Sequence, residues 1–336
     1  MTVEKRAVIA APPGAGKTTI IPLKLLDNSN ISGKIIVLEP RRLAARAAAS
    51  QMAALLNERI GETVGFQIKG LNKVSKKTRI IVMTEGILIR MIQSDPSLSK
   101  VGCIIFDEFH ERSINADLGL ALSLELAEIL RNDLRILVMS ATLDVGPVSD
   151  LLNTKAPIIS NGRAYNVNCK YLPCPNSKND RVWENFSELV SDAFQMTEGG
   201  ILAFLPGEAE IRSTEKLLKE KLPNTAIIMP LYGSLPFEQQ KKILKPLKNE
   251  TLRKVVLSTS IAETSLTISG IRVVVDSGYT RRSRYDPTSG MSKLITQKIS
   301  RAEANQRMGR AGRVAEGWCY RNWAVSEEGG MLEFPP

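Results

Sequence analysis

Residues Arg6–Leu26 read Arg-Ala-Val-Ile-Ala-Ala-Pro-Pro-Gly-Ala-Gly-Lys-Thr-Thr-Ile-Ile-Pro-Leu-Lys-Leu-Leu. Arg6–Ala11 is a short apolar run, as a buried strand requires, and Ile20–Leu26 carries a helical pattern. Between them lies a turn of prolines and small residues that closes on Lys17, Thr18 and Thr19. It nearly matches Gly-x-x-x-x-Gly-Lys-[Ser/Thr], with Ala11 at the place of the first glycine. Small side chains at Gly14, Ala15 and Gly16 let backbone N–H groups wrap a phosphate. Lys17 then reaches the outer phosphates, and a hydroxyl at Thr18 holds Mg²⁺, with Thr19 beside it. The helix that follows turns its positive end toward the anion. A glycine-rich turn that binds nothing is the competing reading; the strand before, the helix after and the placing of Lys17-Thr18 weigh against it. A phosphate loop does not choose the reaction, since kinases and transporters carry one too.

Outward from this unit the pattern continues. Lys34–Glu39, Arg79–Thr84, Val101–Phe106 and Arg135–Ser140 are further strands, with helices at Leu43–Asn57 and Asn115–Arg131. Each strand is apolar at nearly every position, as parallel strands covered on both faces are. The alternation then repeats, with strands at Gly200–Leu205, Ala226–Met229, Lys254–Ser258 and Arg272–Asp276 and helices at Glu208–Lys221 and Pro236–Leu244. Pro173–Asp180 reads as a loop. The spacing predicts two doubly wound α/β domains in tandem, residues 1–158 and 159–336, with the boundary near Thr154–Ala164 and a cleft between them at the carboxyl ends of the strands.

The chain has 336 residues, 43% hydrophobic and 24% charged, which suits two globular domains and excludes a disordered chain. No apolar run approaches the ~20 residues of a membrane span. The start, Met-Thr-Val-Glu-Lys-Arg, is not a signal peptide, so the expected compartment is the cytoplasm. Cys103, Cys169, Cys174 and Cys319 form no Cys-x-x-Cys pair, and His110 is the only histidine, so reduced structural thiols are expected rather than zinc. A net charge of +10 points toward a polyanionic partner.

Asp107 and Glu108 follow the apolar strand Cys103–Phe106. At that carboxyl end the first carboxylate can hold Mg²⁺ through water, and the second can orient and deprotonate an attacking water. Standing alone, such a pair is also an ordinary polar loop start. In Asp107-Glu108-Phe109-His110-Glu111-Arg112, after that phosphate loop, the chain resembles the DEAH-box helicases of superfamily 2. The resemblance runs through nearly the whole chain in order. Glu39-Pro40-Arg41-Arg42-Leu43-Ala44-Ala45 looks like motif Ia, Thr84-Glu85-Gly86 like motif Ib and Ser140-Ala141-Thr142 like motif III. Phe204–Gly207 looks like motif IV, Ser258–Thr267 like motif V and Gln306–Arg313 like motif VI. Phe109, the run Leu38–Arg46 and the run Val274–Gly278 look most like the bacterial HrpB-type branch.

The resemblance implies two RecA-like domains, each a mainly parallel sheet flanked by helices, with the ATP site in the cleft. It implies Gln306 for placing the lytic water, and Arg310 and Arg313 as arginine fingers at the γ-phosphate. It also implies backbone contacts to nucleic acid at Arg41, Arg42, Thr84, Thr259 and Thr264. His110, Ser140 and Thr142 are expected to couple the ATP state to the domain gap. Arg281–Asp286 corresponds to a β-hairpin of the second domain, although a solvated charged loop reads nearly as well. Ser260 and Ser269 depart from the residues common at their places.

The leading expectation is an ATP- and Mg²⁺-dependent helicase on single-stranded or partly duplex RNA or DNA, moving 3′ to 5′. An ATP-gated clamp or remodeller that separates no strands is the alternative. Relatives continue beyond motif VI, so C-terminal accessory domains are expected to be missing if the chain is a fragment. A small-molecule kinase or transporter ATPase leaves motifs V and VI unexplained.

Overall fold

Apolar runs that are hydrophobic at consecutive positions bury both faces, and the sheets show how. The computed structural model describes residues 5–12, 14–141, 145–154, 156–160, 165–172, 182–263 and 267–335. It divides into two compact units, Met1–Gly162 and Arg163–Pro336.

Among the described residues, the first unit runs β1 (Arg6–Ala10), α1 (Lys17–Leu26), β2 (Lys34–Glu39), α2 (Arg42–Leu55), β3 (Val64–Ile68), β4 (Leu71–Lys73), β5 (Ile80–Thr84) and α3 (Glu85–Ser94). It continues with β6 (Val101–Phe106), α4 (Ile114–Ile129), β7 (Arg135–Ser140), α5 (Gly146–Leu151) and β8 (Ile158–Ile159). The sheet order is β4-β3-β5-β2-β6-β7-β1-β8. Every neighbouring pair is parallel except β3 with β4. Side chains alternate across the sheet. Ile35 and Val37 of β2 pack with Ala45, Ala48, Ala49 and Met52 of α2. Ile36 and Leu38 enter the opposite layer with Leu88 of α3 and Leu120 and Leu124 of α4. Two apolar layers on one sheet are why these strands read as unbroken hydrophobic runs.

The second unit comprises β9 (Val167–Tyr171), α6 (Val182–Met196), β10 (Gly200–Phe204), α7 (Glu208–Lys221), β11 (Ala226–Leu231) and α8 (Phe237–Leu244). After these come β12 (Arg253–Ser258), β13 (Ile271–Asp276), β14 (Tyr279–Asp286), β15 (Met291–Lys298), α9 (Arg301–Met308) and β16 (Gly317–Arg321). Six strands form a parallel sheet ordered β11-β12-β10-β13-β16-β9. Again alternate residues divide, Ile201 and Ala203 to the layer of α6 and α7, Leu202 and Phe204 to the other. β14 and β15 form a separate antiparallel hairpin. Each unit is thus a mainly parallel sheet flanked by helices, as in RecA-like domains.

Several sequence expectations shift. β1 ends at Ala10 rather than Ala11, and α1 starts at Lys17 rather than Ile20, because Gly16 turns the chain through φ +79° directly into the helix. α2 covers Arg42–Leu55 and α4 Ile114–Ile129, each a residue or two from the sequence-based bounds. The stretch Arg281–Asp286 is strand rather than solvated loop. β3, β4, β9, β16, α3 and α6 were not foreseen. β9, Val-Asn-Cys-Lys-Tyr, is an edge strand whose polar positions are exposed, so it shows no continuous apolar run. Cys169 and Cys319, distant in sequence, are lateral partners across β9 and β16 and are free thiols. Pro173–Asp180, with Cys174, lies outside the described residues. No helix among the described residues is long and apolar enough to cross a membrane.

Candidate active site

The order β2-β6-β7-β1 places four strand ends side by side: Leu38 is level with Phe106, Phe106 with Val138, and Ser140 with Ala10. The chain just beyond each end supplies the polar groups of the site. From β1 comes the loop of Gly14 and Gly16, whose φ values of 86° and 79° favour glycine. A Cβ on Gly16 would also meet Ile20 Cγ1 at 3.2 Å. Ala11 N–H donates to Ser140 O at 3.1 Å, tying the loop to the end of β7. Lys17, 6% exposed, folds back so that Nζ donates to the carbonyls of Ala11 and of Pro12, the latter at 3.2 Å. Thr19 Oγ1 donates to Gly16 O at 3.4 Å. Ala15 lies on the same loop, its N–H donating to Pro12 O at 3.3 Å.

Thr18 Oγ1 donates to Asp107 Oδ2 across 89 residues of sequence. The other carboxylate oxygen, Oδ1, accepts the Glu108 N–H at 2.8 Å. A hydroxyl and a carboxylate meeting at one point are the hard oxygen donors that Mg²⁺ takes, completed by water and phosphate oxygens. Charge supports that fit. Burial, then the neighbouring Glu108 carboxylate, push Asp107 up to about 7, against the opposing pull of Thr18, the Glu108 N–H and Lys17. A cation at this point would relieve both causes.

Glu108 has φ 50° and ψ 36°, the left-handed region that a branched-Cβ-free but non-glycine residue enters at a cost of about 1 kcal/mol or more. That turn sets its carboxylate, 8% exposed, beside the imidazole of His110, with Oε2 3.5 Å from Nδ1. Nδ1 accepts the Ala141 N–H at 3.2 Å, so His110 links the acidic pair to the chain after Ser140. Ser140 is buried at the end of β7; Thr142 lies outside the described residues.

Glu39, at the end of β2, is fully buried. Burial, then the charges of Asp107, Glu108 and Glu111, hold its carboxyl well above the usual range. The sequence marks it as the acid that closes an apolar strand and opens the motif Ia stretch, and assigns it no role. Glu85 is raised as well, chiefly by burial, and accepts a hydrogen bond from the Ser113 hydroxyl. Arg41 Nη2 pairs with Glu111 Oε2 at 3.2 Å, and the Lys17 charge acts against the rise of Asp107. Arg42 is exposed at the first turn of α2, and Thr84 precedes α3 without a side-chain capping bond.

In the second unit, α9 and its following turn carry Gln306, Arg310 and Arg313. Ser300 and Glu303 cap the helix reciprocally, the Glu303 N–H donating to Ser300 Oγ at 3.2 Å. Arg310 is buried, and Nε donates to the Glu263 carbonyl at 2.8 Å. Arg313 Nη1 donates to Thr267 Oγ1 at 3.0 Å. Thr259 N–H donates to Leu231 O at 3.2 Å at the end of β12; Thr264 is outside the described residues. Arg307, which the sequence does not single out, lies fully buried between Gln306 and Arg310.

A phosphate loop, an acidic pair at the end of the next strand but one and a second RecA-like unit define a two-unit P-loop protein of the helicase type. The chain matches the DEAD/DEAH box helicase model over residues 1–151 and the helicase conserved C-terminal domain model over residues 181–315. It belongs to the DEAH-box helicase family. Within that family it is similar to the ATP-dependent RNA helicase HrpB of Escherichia coli, 47% identical over 312 residues, covering 93% of this chain and 38% of that protein. An ATP-dependent RNA helicase HrpA homolog of Haemophilus influenzae is 39% identical over 330 residues, 97% of this chain and 25% of that one. The crystal structure of the Escherichia coli DEAH/RHA helicase HrpB matches with a TM-score of 0.93 at 45% identity, over 99% of this chain and 42% of that one. The chain thus spans well under half the length of these relatives.

Proposed function

We propose that this chain is an ATP- and Mg²⁺-dependent helicase motor acting on RNA, with DNA as a second possible track, moving 3′ to 5′. The observation that carries the reading is the convergence of Lys17, Thr18, Asp107 and Glu108 at nearby strand ends of one sheet. Lys17 holds the outer phosphates in place of the two carbonyls it now meets. Thr18 and Asp107 would hold Mg²⁺, whose positive charge would offset the negative charge of the phosphates. Glu108 takes the proton of the attacking water, and Gln306 orients that water. Arg310 and Arg313 stabilise the developing charge, an effect of roughly 10³–10⁵ in rate for such arginines. Arg41, Arg42, Thr84, Thr259 and Thr264 contact the nucleic-acid backbone, positioning a strand without reading its bases. His110, Ser140 and Thr142 couple the ATP state to the domain gap. The names of the relatives favour RNA, and the net charge of +10 suits either polyanion.

The test is strand displacement with ATP on duplexes carrying a 3′ or a 5′ single-stranded overhang. Release of the paired strand from the 3′-overhang substrate alone supports the motor. ATP-dependent binding with no release from either would instead identify a clamp.

A further inference from the structure

Arg307 has the largest side chain among the fully buried residues described, at 1% exposure. Its Nε donates to Glu263 Oε2 at 3.2 Å, and Nη1 donates to Asp276 Oδ1 at 2.8 Å and to Tyr279 O at 3.2 Å. The guanidinium lies over the Phe204 ring, 4.9 Å from its centroid. Both carboxylates are buried, Glu263 at 4% and Asp276 at 1% exposure. Asp276 Oδ1 also accepts the Gly278 N–H at 2.9 Å. One turn along, Arg310 donates to the main-chain carbonyl of the same Glu263. Glu263 is therefore clasped twice, through its side chain by Arg307 and through its backbone by Arg310.

Stability is a poor reason for such a cluster. Removing charges from water costs about as much as their pairing returns, and neutral replacements of a whole buried set are often tolerated. A guanidinium fork on two carboxylates does fix direction, because its planar donors meet their acceptors in one geometry. Here it locks α9 to the end of β13 and to the loop after β12. Arg307 stands between Gln306 and Arg310 in sequence.

We infer that Arg307, through Glu263 and Asp276, is a positioning residue that sets Gln306 and Arg310 for the ATP reaction. This rests on the proposed roles of Gln306 and Arg310, so the experiment separates the two. ATPase kcat and KM and urea unfolding are measured for the parent, Arg307→Lys, the triple variant Arg307→Met/Glu263→Gln/Asp276→Asn, and Arg310→Ala, each with single-stranded RNA. A misplacement near 1 Å lowers turnover about 100-fold. Arg307→Lys, which keeps the charge and loses the fork, should lower kcat at least tenfold with KM for ATP within about threefold. The triple variant leaves no orphaned buried charge. It should unfold near the parent's midpoint while kcat stays about 100-fold down. Parent-like kcat in Arg307→Lys, or kcat restored together with stability in the triple variant, overturns the inference. If Arg310→Ala keeps full turnover, the proposed site itself fails, whatever Arg307 does.

Discussion

Glu108→Gln should stop turnover and, at pH 8, make the nucleotide-free protein more stable. Asp107 sits at about 7 instead of 3.8, with burial the first cause and the Glu108 charge the second. Three pKa units correspond to about 4 kcal/mol, an order-of-magnitude figure. The folded-state value lies above the unfolded one. Between about pH 4 and pH 7 the folded chain therefore keeps a proton that the unfolded chain has lost, and stability falls as pH rises through that window. At pH 8 Asp107 is ionised and carries the full cost of the two causes that raise it, burial and the neighbouring Glu108. Removing the second-ranked cause should return less than half of the total, about 1–2 kcal/mol. Glutamine fits the left-handed backbone at this position no worse than glutamate, so no new backbone strain opposes the gain. Turnover should meanwhile drop about 10²–10⁴-fold, the usual worth of a positioned base. Urea unfolding at pH 5 and pH 8, paired with ATPase rates in Mg²⁺, reads both effects. The stability gain should shrink at pH 5, where Asp107 is already protonated. Turnover within tenfold of the parent would remove Glu108 from the base role. Unchanged or lower stability at pH 8 would refute the electrostatic reasoning.

Three other substitutions bear on the site. Lys17→Ala should weaken binding of a fluorescent ATP analogue at least about 100-fold, since buried charge-assisted contacts to phosphate are lost, and retained affinity would exclude the phosphate loop. Gly16→Ala should destabilise the first unit by about 1–2 kcal/mol in urea, from the positive φ and the crowding of Ile20. Arg41→Ala should reduce the salt dependence of RNA affinity by about one counterion, measured as the slope of log affinity against log salt. An unchanged slope would take Arg41 off the strand.

The legible parts of this protein are those whose chemistry is local in sequence. The phosphate loop is one turn between a strand and a helix, and the acidic pair follows an apolar strand directly. Their meeting was not local. Thr18 reaches Asp107 only because β7 lies between β1 and β6, an order that no short motif spells out. Glu39 showed as the acid that ends Lys-Ile-Ile-Val-Leu-Glu and opens the motif Ia stretch, but its burial beside Asp107 comes from the adjacency of β2 and β6. Arg307 was visible only as one residue of the Gln306–Arg313 stretch; its buried partners, 44 and 31 residues away, were not. The strand β9 was hidden for a related reason: it closes the sheet at its edge, where exposed Asn168 and Lys170 interrupt the run. β16, inside the sheet between β13 and β9, mixes Gly317 and Arg321 with aromatic residues and so shows no aliphatic run.

The most direct test of the central claim is the ATPase rate of this chain in Mg²⁺, measured alone, with single-stranded RNA and with single-stranded DNA. Expected is a rate that rises severalfold with RNA and disappears in Lys17→Ala. A rate unmoved by either polymer would contradict the helicase reading, and no hydrolysis under any condition would contradict the active site itself.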